Sequence, residues 1–230
     1  TGPITNATGR YTLYQISTNT YTRIGVPAGV NYLGNTDFDF TVTGSVVDFW
    51  FWGQTAGEGG TSQFDIFRWK SDTGTTQRIT NGGSRNIYPQ VDSTRAVWQQ
   101  SPVGGNSSGL VTLLAQSLTG ASTTTLSTTA NSSFQLRDGV LAWTETNGTA
   151  KAVKAATSLV GTTLSSLTSG QLLATGNGHV IYGELGKVYS WNSNGGATAL
   201  RIESAPGQVF VTGGAMIFTM GNSVYRVTLN

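Results

Sequence analysis

The chain has 230 residues, of which 10% are charged, with a net charge of +2, 31 glycines and no cysteine. The lack of cysteine excludes a disulfide framework, a cysteine nucleophile and a thiolate metal site. Lysine and arginine are scattered, so no basic stripe for nucleic acid forms, and no apolar run approaches the ~18 residues that span a bilayer. The composition is typical of a secreted or surface-attached bacterial protein, and the length suits one domain.

A short unit recurs along the chain, consisting of a polar turn, an apolar run and an aromatic residue. Turns such as Asp138-Gly139 and Asn177-Gly178 are two-residue hairpin signals, because Asp, Asn and Gly adopt positive φ at low cost. We therefore predict that each unit begins with a β-hairpin. The aromatic residues of successive units are Phe49, Trp98, Trp143, Tyr182 and Phe218.

Each hairpin is followed by further strand-like segments. Third strands are predicted over residues 64–70, 110–118, 151–159, 187–191 and 223–229. Threonine-rich segments at 77–80 and 123–126 favour a fourth, outer strand, and no helix is predicted. Four antiparallel strands recurring every ~40–45 residues indicate propeller blades. A β-sandwich is the structural alternative, although it predicts no repeat.

The sequence thus predicts an all-β fold, a β-propeller of about five four-stranded blades, with six blades as the alternative. The chain begins with strands that resemble the third and fourth of a blade, and it ends after a third strand. Pairing of the two ends would close the ring and leave no open sheet edge. The predicted blades of this single domain are approximately 38–80, 86–128, 132–167, 170–203 and 207–230, the last completed by 10–25.

One unit carries a family resemblance. Asp65-Ile66-Phe67, Thr73-Gly74, Ile79-Thr80, Pro89 and Trp98 follow one another in the order of strand, turn, outer strand, inner strand and aromatic end. Over residues 64–100 the chain resembles the TolB-like, WD40-like bacterial propeller repeat. The resemblance implies an extracytoplasmic propeller. It implies no particular ligand, since that family binds proteins, glycans and peptides or serves as a spacer.

Carboxylates are the candidates for catalysis. Glu145 and Glu184 each follow the aromatic residue of their unit by two positions, so neighbouring blades would present them at a similar height. Glycosidases use two carboxyl groups about 5–9.5 Å apart. A glycoside hydrolase or related carbohydrate-active enzyme that uses Glu145, Glu184 and Asp39 is therefore the alternative function.

Metal and cofactor sites have little support in the sequence. Asp37 and Asp39 share one strand face and could hold a structural cation weakly, although the pattern favours solvated strand-end aspartates. His179 lies in a hairpin turn with no second histidine, which is typical of a turn or surface histidine. No cofactor is predicted.

Aromatic side chains are the candidates for binding. Trp52, Trp69, Trp191 and Tyr14 could stack on sugar rings or anchor a protein interface, and packing between blades is the alternative for each tryptophan. The leading hypothesis is an extracellular, non-catalytic propeller module that recognises a glycan or a surface protein. We expect a monomer or a domain of a larger secreted protein, without nucleic-acid partners or membrane insertion. A structural spacer is a third hypothesis.

Overall fold

The computed structural model describes residues 11–56, 62–102, 109–147, 150–157, 162–165, 170–192, 194–200, 202 and 206–229. These ranges contain strands and turns and no helix, which confirms the predicted all-β class. Within the same ranges, no helix is long and apolar enough to cross a membrane. The chain divides into two compact units, residues 1–107 with 116–121 and residues 108–115 with 122–230.

The first unit is built from antiparallel strands joined by short turns. Its strands are β1 (Thr12–Gln15), β2 (Thr20–Arg23), β3 (Val30–Thr43), β4 (Val46–Ala56), β5 (Ser62–Lys70), β6 (Thr75–Arg78), β7 (Ser84–Val91) and β8 (Arg95–Pro102). Strands β3 to β6 form a meander, and β7 joins β5 in parallel where Phe64 pairs with Arg85. Strand β8 returns antiparallel to β7.

The second unit repeats the same pattern. Its strands are β9 (Leu110–Ser117, of which 110–115 belong here), β10 (Thr123–Arg137), β11 (Val140–Asn147), β12 (Ala150–Ala156), β13 (Thr162–Ser165), β14 (Gln171–Gly176), β15 (His179–Glu184), β16 (Lys187–Asn192), β17 (Gly196–Leu200), β18 (Val209–Thr212), β19 (Ala215–Met220) and β20 (Ser223–Thr228). Strands β10–β13, β14–β17 and β18–β20 are three successive antiparallel meanders. Strand β10 joins a predicted outer strand to the following inner strand, with a register shift between Ala130 and Phe134.

The predicted hairpins are confirmed, and local turn chemistry explains them. Strands β10 and β11 are joined by Asp138 (φ 50°) and Gly139 (φ 79°), and β14 and β15 by Asn177 (φ 49°) and Gly178 (φ 76°). Both residues of such a turn need positive φ, which matches the right-handed twist of the strands. The turn between β7 and β8 relies instead on Asp92, whose carboxylate accepts hydrogen bonds from the backbone N–H groups that follow it.

The N-terminal strands differ from their predicted place. Strands β1 and β2 form a two-stranded sheet of their own, and β18–β20 form a sheet of three strands. Leu13 and Ile24 pack instead on a cluster that includes Phe49 and Trp69 of the first meander. These contacts bury an apolar face of the β4–β5 pair. Burial of the Phe49 and Trp69 rings is favourable, which explains why the N-terminal segment packs there.

Two apolar layers hold the second unit together. One lies between the β10–β13 and β14–β17 sheets and includes Ala142 and Val180, and the other lies between β14–β17 and β18–β20 and includes Ile181 and Met216. Val180 and Ile181 are neighbours in β15, so this strand buries both of its faces. Gly176 permits the second packing, because a Cβ there would lie 2.8 Å from the carbonyl oxygen of Val211.

Candidate functional site

A polar pocket of about 610 Å³ opens at one end of the β14–β17 sheet. Two turns, one from β14 to β15 and one from β16 to β17, lie at the same end of this meander and form its walls. The pocket is lined by Asn177, Gly178, His179, Asn192, Asn194, Gly195 and Thr198. These described lining residues carry amide, imidazole or hydroxyl side chains or are glycine, and none of them is acidic, lysine or arginine.

Hydrogen bonds within the sheet fix the walls of this pocket. His179 and Asn192 are cross-strand partners on β15 and β16. The Oδ1 atom of Asn192 accepts hydrogen bonds from the backbone N–H groups of Asn194 and Gly195, at 3.0 and 2.5 Å, which holds the second turn closed. The wall positions are thus set by backbone pairing and a side-chain cap, which keeps the donors and acceptors in fixed places.

Among the described residues of the pocket lining, His179 is the titratable side chain. Its Nδ1 lies 3.0 Å from the hydroxyl oxygen of Ser190, and the residue is buried, with 8% of its surface exposed. Burial lowers the pKa of His179 below its ordinary value of about 6.5, because desolvation disfavours the imidazolium form. The imidazole is therefore neutral at pH 7. A carboxylate lies close by, since Asp138 Oδ2 accepts a hydrogen bond from the backbone N–H of Asn177 at 2.6 Å.

The lowered pKa of His179 predicts a pH-dependent stability. The unfolded chain takes up this proton near pH 6.5, whereas the folded protein resists it until lower pH, so unfolding gains protons as the pH falls. The stability contribution is present above about pH 6.5 and is lost as the pH falls through the folded-state pKa. Urea unfolding at about pH 7.5 and about pH 5.5 should show this loss, and a His179→Gln variant should lose less. Titration of the imidazole at or above pH 6.5 by NMR would contradict it.

Glu145, the first predicted catalytic carboxylate, is held in a network of its own sheet. Its Oε1 accepts a hydrogen bond from Trp143 Nε1 at 3.1 Å, and its Oε2 lies 3.3 Å from the Lys154 ammonium. Burial alone would raise the pKa of Glu145, but hydrogen bonds from Ser127 and Trp143 and the charge of Lys154 outweigh it, so the pKa is lowered. A carboxyl group held ionised in this way is a poor general acid.

The structure does not bring Glu145 and Glu184 together. Ala142 packs toward β15, so Glu145, three positions along β11, points to the opposite face of the β10–β13 sheet. Glu184 shares the face of Val180 and Tyr182, which pack against the near side of that same sheet. The β10–β13 backbone therefore lies between the two carboxylates, and packed sheets are about 10 Å apart.

Asp39 lies in the first unit and serves its backbone. Its Oδ2 accepts a hydrogen bond from Val91 N–H at 3.0 Å, and its Oδ1 accepts one from Phe40 N–H at 2.9 Å. These bonds connect β3 with the end of β7. Among the described residues, no group of three or more histidine or acidic side chains is placed to hold a metal ion.

The predicted aromatic site residues fall into a buried and an exposed class. Trp69 is 1% exposed within the cluster around Phe49, and Trp52 is buried with its ring edge-on to Phe64 at 5.2 Å. Trp191 is half-buried against the layer that contains Val180, on the face of the sheet opposite His179. The two buried tryptophans, Trp52 and Trp69, pack inside the protein, which is the alternative stated from the sequence.

Tyr14 presents an exposed ring. It stacks on its cross-strand partner Tyr21, with ring centroids 4.6 Å apart, and its hydroxyl donates a hydrogen bond to Asn19 Oδ1 at 2.9 Å. Tyr14 is 45% exposed and Tyr21 is 73% exposed. This pair is a second surface with the chemistry to contact a sugar ring.

Sequence reasoning missed the polar pocket because it treated each turn separately. Asn177-Gly178 was recognised as a turn, and His179 was assigned to it as a surface residue. The missing step is topological, since in a four-stranded meander the first and third turns lie at the same end of the sheet. The asparagine and glycine residues between positions 192 and 196 therefore lie at the same end of the sheet as the Asn177 turn.

The sheets and this pocket define an all-β protein built from repeated meanders, with a pocket lined by asparagine, histidine, threonine and glycine at one sheet end. No family model matches the chain. No curated protein matches it either. A solved structure from a structural and mechanistic study of two prolyl endopeptidases is similar at 10% identity and a TM-score of 0.43, covering 82% of this chain and 38% of that chain. This chain therefore spans well under half the length of that structure.

Proposed function

We propose that this protein is an extracellular, non-catalytic β-propeller module of the TolB-like kind that binds a neutral glycan in the polar pocket at His179. The observation that carries the proposal is the lining of that pocket, which consists of uncharged hydrogen-bonding groups and glycine. Sugar hydroxyls are both donors and acceptors, and so are amide, hydroxyl and neutral imidazole groups. An anionic ligand would lose its hydration there without gaining an opposite charge, because the described lining contains no lysine or arginine.

The arrangement of the carboxylates supports binding over hydrolysis. Glu145 and Glu184 lie on opposite sides of one sheet, and Glu145 is occupied by Trp143 and Lys154. A pair of glycosidase carboxyl groups must flank one scissile bond from within about 9.5 Å. The glycoside-active alternative therefore has less support than the binding module.

The proposal is tested through the single histidine of the chain, whose imidazole gives a unique NMR signal. Neutral malto-, cello-, xylo- and chito-oligosaccharides are titrated beside polygalacturonate. We expect at least one neutral series to shift the His179 signal saturably and polygalacturonate to leave it unchanged. No saturable shift with any neutral series would refute the proposal, and a shift with polygalacturonate alone would reverse the assigned charge preference.

A matched pair of variants locates the site. Thr198→Val removes one hydroxyl from the pocket while keeping the shape of the side chain, and Thr212→Val does the same at an exposed position of β18. Because one hydrogen bond contributes about 0.5–1.5 kcal/mol, Thr198→Val should weaken binding roughly threefold to tenfold, and Thr212→Val should not. Loss of binding in Tyr14→Ala with none in Thr198→Val would move the glycan to the N-terminal hairpin.

A further inference from the structure

The outer face of the N-terminal hairpin, formed by β1 and β2, carries two aromatic rings and one arginine. Tyr14 and Tyr21 are cross-strand partners, and so are Thr12 and Arg23. Directly paired residues point to the same side of a sheet, and so do residues two positions apart in one strand. Tyr14, Tyr21, Thr12 and Arg23 therefore share one face of the hairpin, and all four are exposed.

The inner face attaches the hairpin to the rest of the first unit. Leu13 of β1 packs on the apolar cluster that contains Phe49 and Trp69, and Ile24, which follows β2, belongs to that cluster. The aromatic pair on the outer face makes no contribution to this attachment, and Tyr21 keeps 73% of its surface exposed. A ligand that covers this ring would remove apolar surface from water, which is favourable.

The two rings hold each other in a fixed orientation. The Tyr14 hydroxyl donates a hydrogen bond to Asn19 Oδ1 at 2.9 Å, and its ring stacks on Tyr21 with 26° between the planes. Such a pair stabilises the hairpin by itself, but it uses only one face of the Tyr21 ring. Within the described residues, the Tyr21 hydroxyl makes no hydrogen bond. An open ring face and a hydroxyl group are thus left for a ligand.

Arg23 gives this face a positive charge that no acidic residue of the hairpin balances. Residues 11–30 contain no aspartate, glutamate or lysine, and Arg23 is their only arginine. In the described part of the chain, Arg23 makes no ion pair. Other arginines of the first unit each pair with an aspartate, namely Arg68, Arg78 and Arg95. The hairpin therefore presents a guanidinium group that is available to an anion.

A flat aromatic ring beside a guanidinium group matches the chemistry of a sugar acid. The CH face of a sugar ring packs on an aromatic face, and a guanidinium binds a carboxylate through two parallel hydrogen bonds. Arg23 follows Tyr21 by two strand positions, about 7 Å. We propose that the outer face of β1–β2 binds an anionic glycan that contains uronic acid, with a sugar ring on Tyr21 and a carboxylate on Arg23. An acidic peptide would satisfy Arg23 but would bring no saturated ring to cover Tyr21.

The test compares a short oligogalacturonate with the same oligomer after methyl esterification, which removes the charge and keeps the sugar. The backbone amide signals of Tyr14, Tyr21 and Arg23 are followed by NMR. Oligogalacturonate should shift these signals saturably, and the methyl ester should bind roughly threefold to fivefold more weakly, because it lacks the ion pair. Equal binding of the two oligomers, no saturable shift, or tighter binding of a blocked tetraglutamate peptide would each overturn the proposal.

Variants assign the two contacts separately. Arg23→Gln should weaken oligogalacturonate binding by the same factor as methyl esterification and leave binding of the methyl ester unchanged, since both changes remove one ion pair. Arg226→Gln, at an exposed arginine of β20, is the matched control and should have no effect. Tyr21→Thr should weaken binding of both oligomers roughly threefold to tenfold. Unchanged binding of oligogalacturonate by Arg23→Gln would refute the assigned contact.

The hairpin must stay folded for these comparisons to report binding. Its integrity is checked by hydrogen exchange of the Ile24 amide, which bonds to the Tyr11 carbonyl at 3.1 Å and should remain protected in each variant. The inference goes beyond the neutral-glycan pocket, which lies in the other compact unit and has His179 as its reporter. A shift of the hairpin signals without one at His179, or the reverse, therefore shows which of the two proposals fails.

Discussion

Replacement of Asp65 by alanine is expected to lower the free energy of unfolding by about 3 kcal/mol, measured by urea unfolding with tryptophan fluorescence. The carboxylate is fully buried in the first unit, and four groups donate hydrogen bonds to it. Thr55 Oγ1 and Arg78 Nη2 bind its Oδ2 at 2.8 and 2.5 Å, and Thr80 Oγ1 and Gly82 N–H bind its Oδ1 at 2.8 and 3.3 Å.

The expected effect is large because alanine removes the acceptor and leaves its donors. The buried Thr55 and the half-buried Thr80 would lose their common acceptor, and Arg78 would lose its counter-charge. Removal of one partner from a buried ion pair typically costs about 3–5 kcal/mol. The Arg78 side chain is partly exposed, so solvent screens its charge and the lower end of this range applies.

A surface ion pair in the same unit is the matched control. Lys70 and Asp72 are 3.4 Å apart, and both side chains are more than a third exposed. Asp72→Ala should change the free energy of unfolding by less than about 0.5 kcal/mol. Asp65→Asn should fall between the two alanine variants, because its amide retains one acceptor oxygen. A loss from Asp65→Ala no larger than that from Asp72→Ala would refute the structural role of this carboxylate.

The same contacts join two residues of the 64–100 segment that the sequence analysis compared with a propeller repeat. Asp65 and Thr80 are two of the positions on which the resemblance rests, and in the structure their side chains are bonded to each other. Thr80 also accepts the backbone N–H of Ile66 on its hydroxyl oxygen. The interval between Asp65 and Thr80 in the sequence is thus the length of chain that runs from β5, the third strand of the meander, to just past the end of β6, the fourth.

The hairpins and their order could be predicted from the sequence because each depends on neighbouring residues. A turn such as Asp138-Gly139 and the apolar alternation around it act within about ten residues. The structure joins two predicted strands in β10, which the sequence analysis did not foresee. No glycine or proline separates Thr123 from Arg137, so nothing in this segment breaks the strand.

Non-local packing accounts for what the sequence did not reveal. The place of Ile24 against Trp69 depends on which apolar face is left uncovered by the meanders, and that is decided only when the sheets have formed. The opposite orientation of Glu145 and Glu184 arises in the same way. Their equal spacing from an aromatic residue predicted similar positions within each sheet, and the faces were fixed by which neighbours each strand packs against.

Trp69→Ala is expected to lower the free energy of unfolding by about 3–5 kcal/mol, because a fully buried indole leaves a large cavity. The ring lies in the apolar cluster with Phe49 and Phe67, against which Leu13 of the N-terminal hairpin also packs. The measurement is urea unfolding, supported by hydrogen exchange of the Ile24 amide, which bonds to the Tyr11 carbonyl at 3.1 Å. This exchange should accelerate in the variant as the hairpin loses its support.

Tyr14→Ala is the control that separates packing from recognition. Its ring is exposed, so its removal should cost less than about 1 kcal/mol and leave the Ile24 amide protected. A Trp69→Ala protein that keeps full stability would show that the indole is not required by the core and would restore Trp69 as a binding residue. If the large loss is found, any fall in ligand binding by Trp69→Ala reports unfolding, and the binding surface must be sought at exposed groups such as Thr198 and Tyr14.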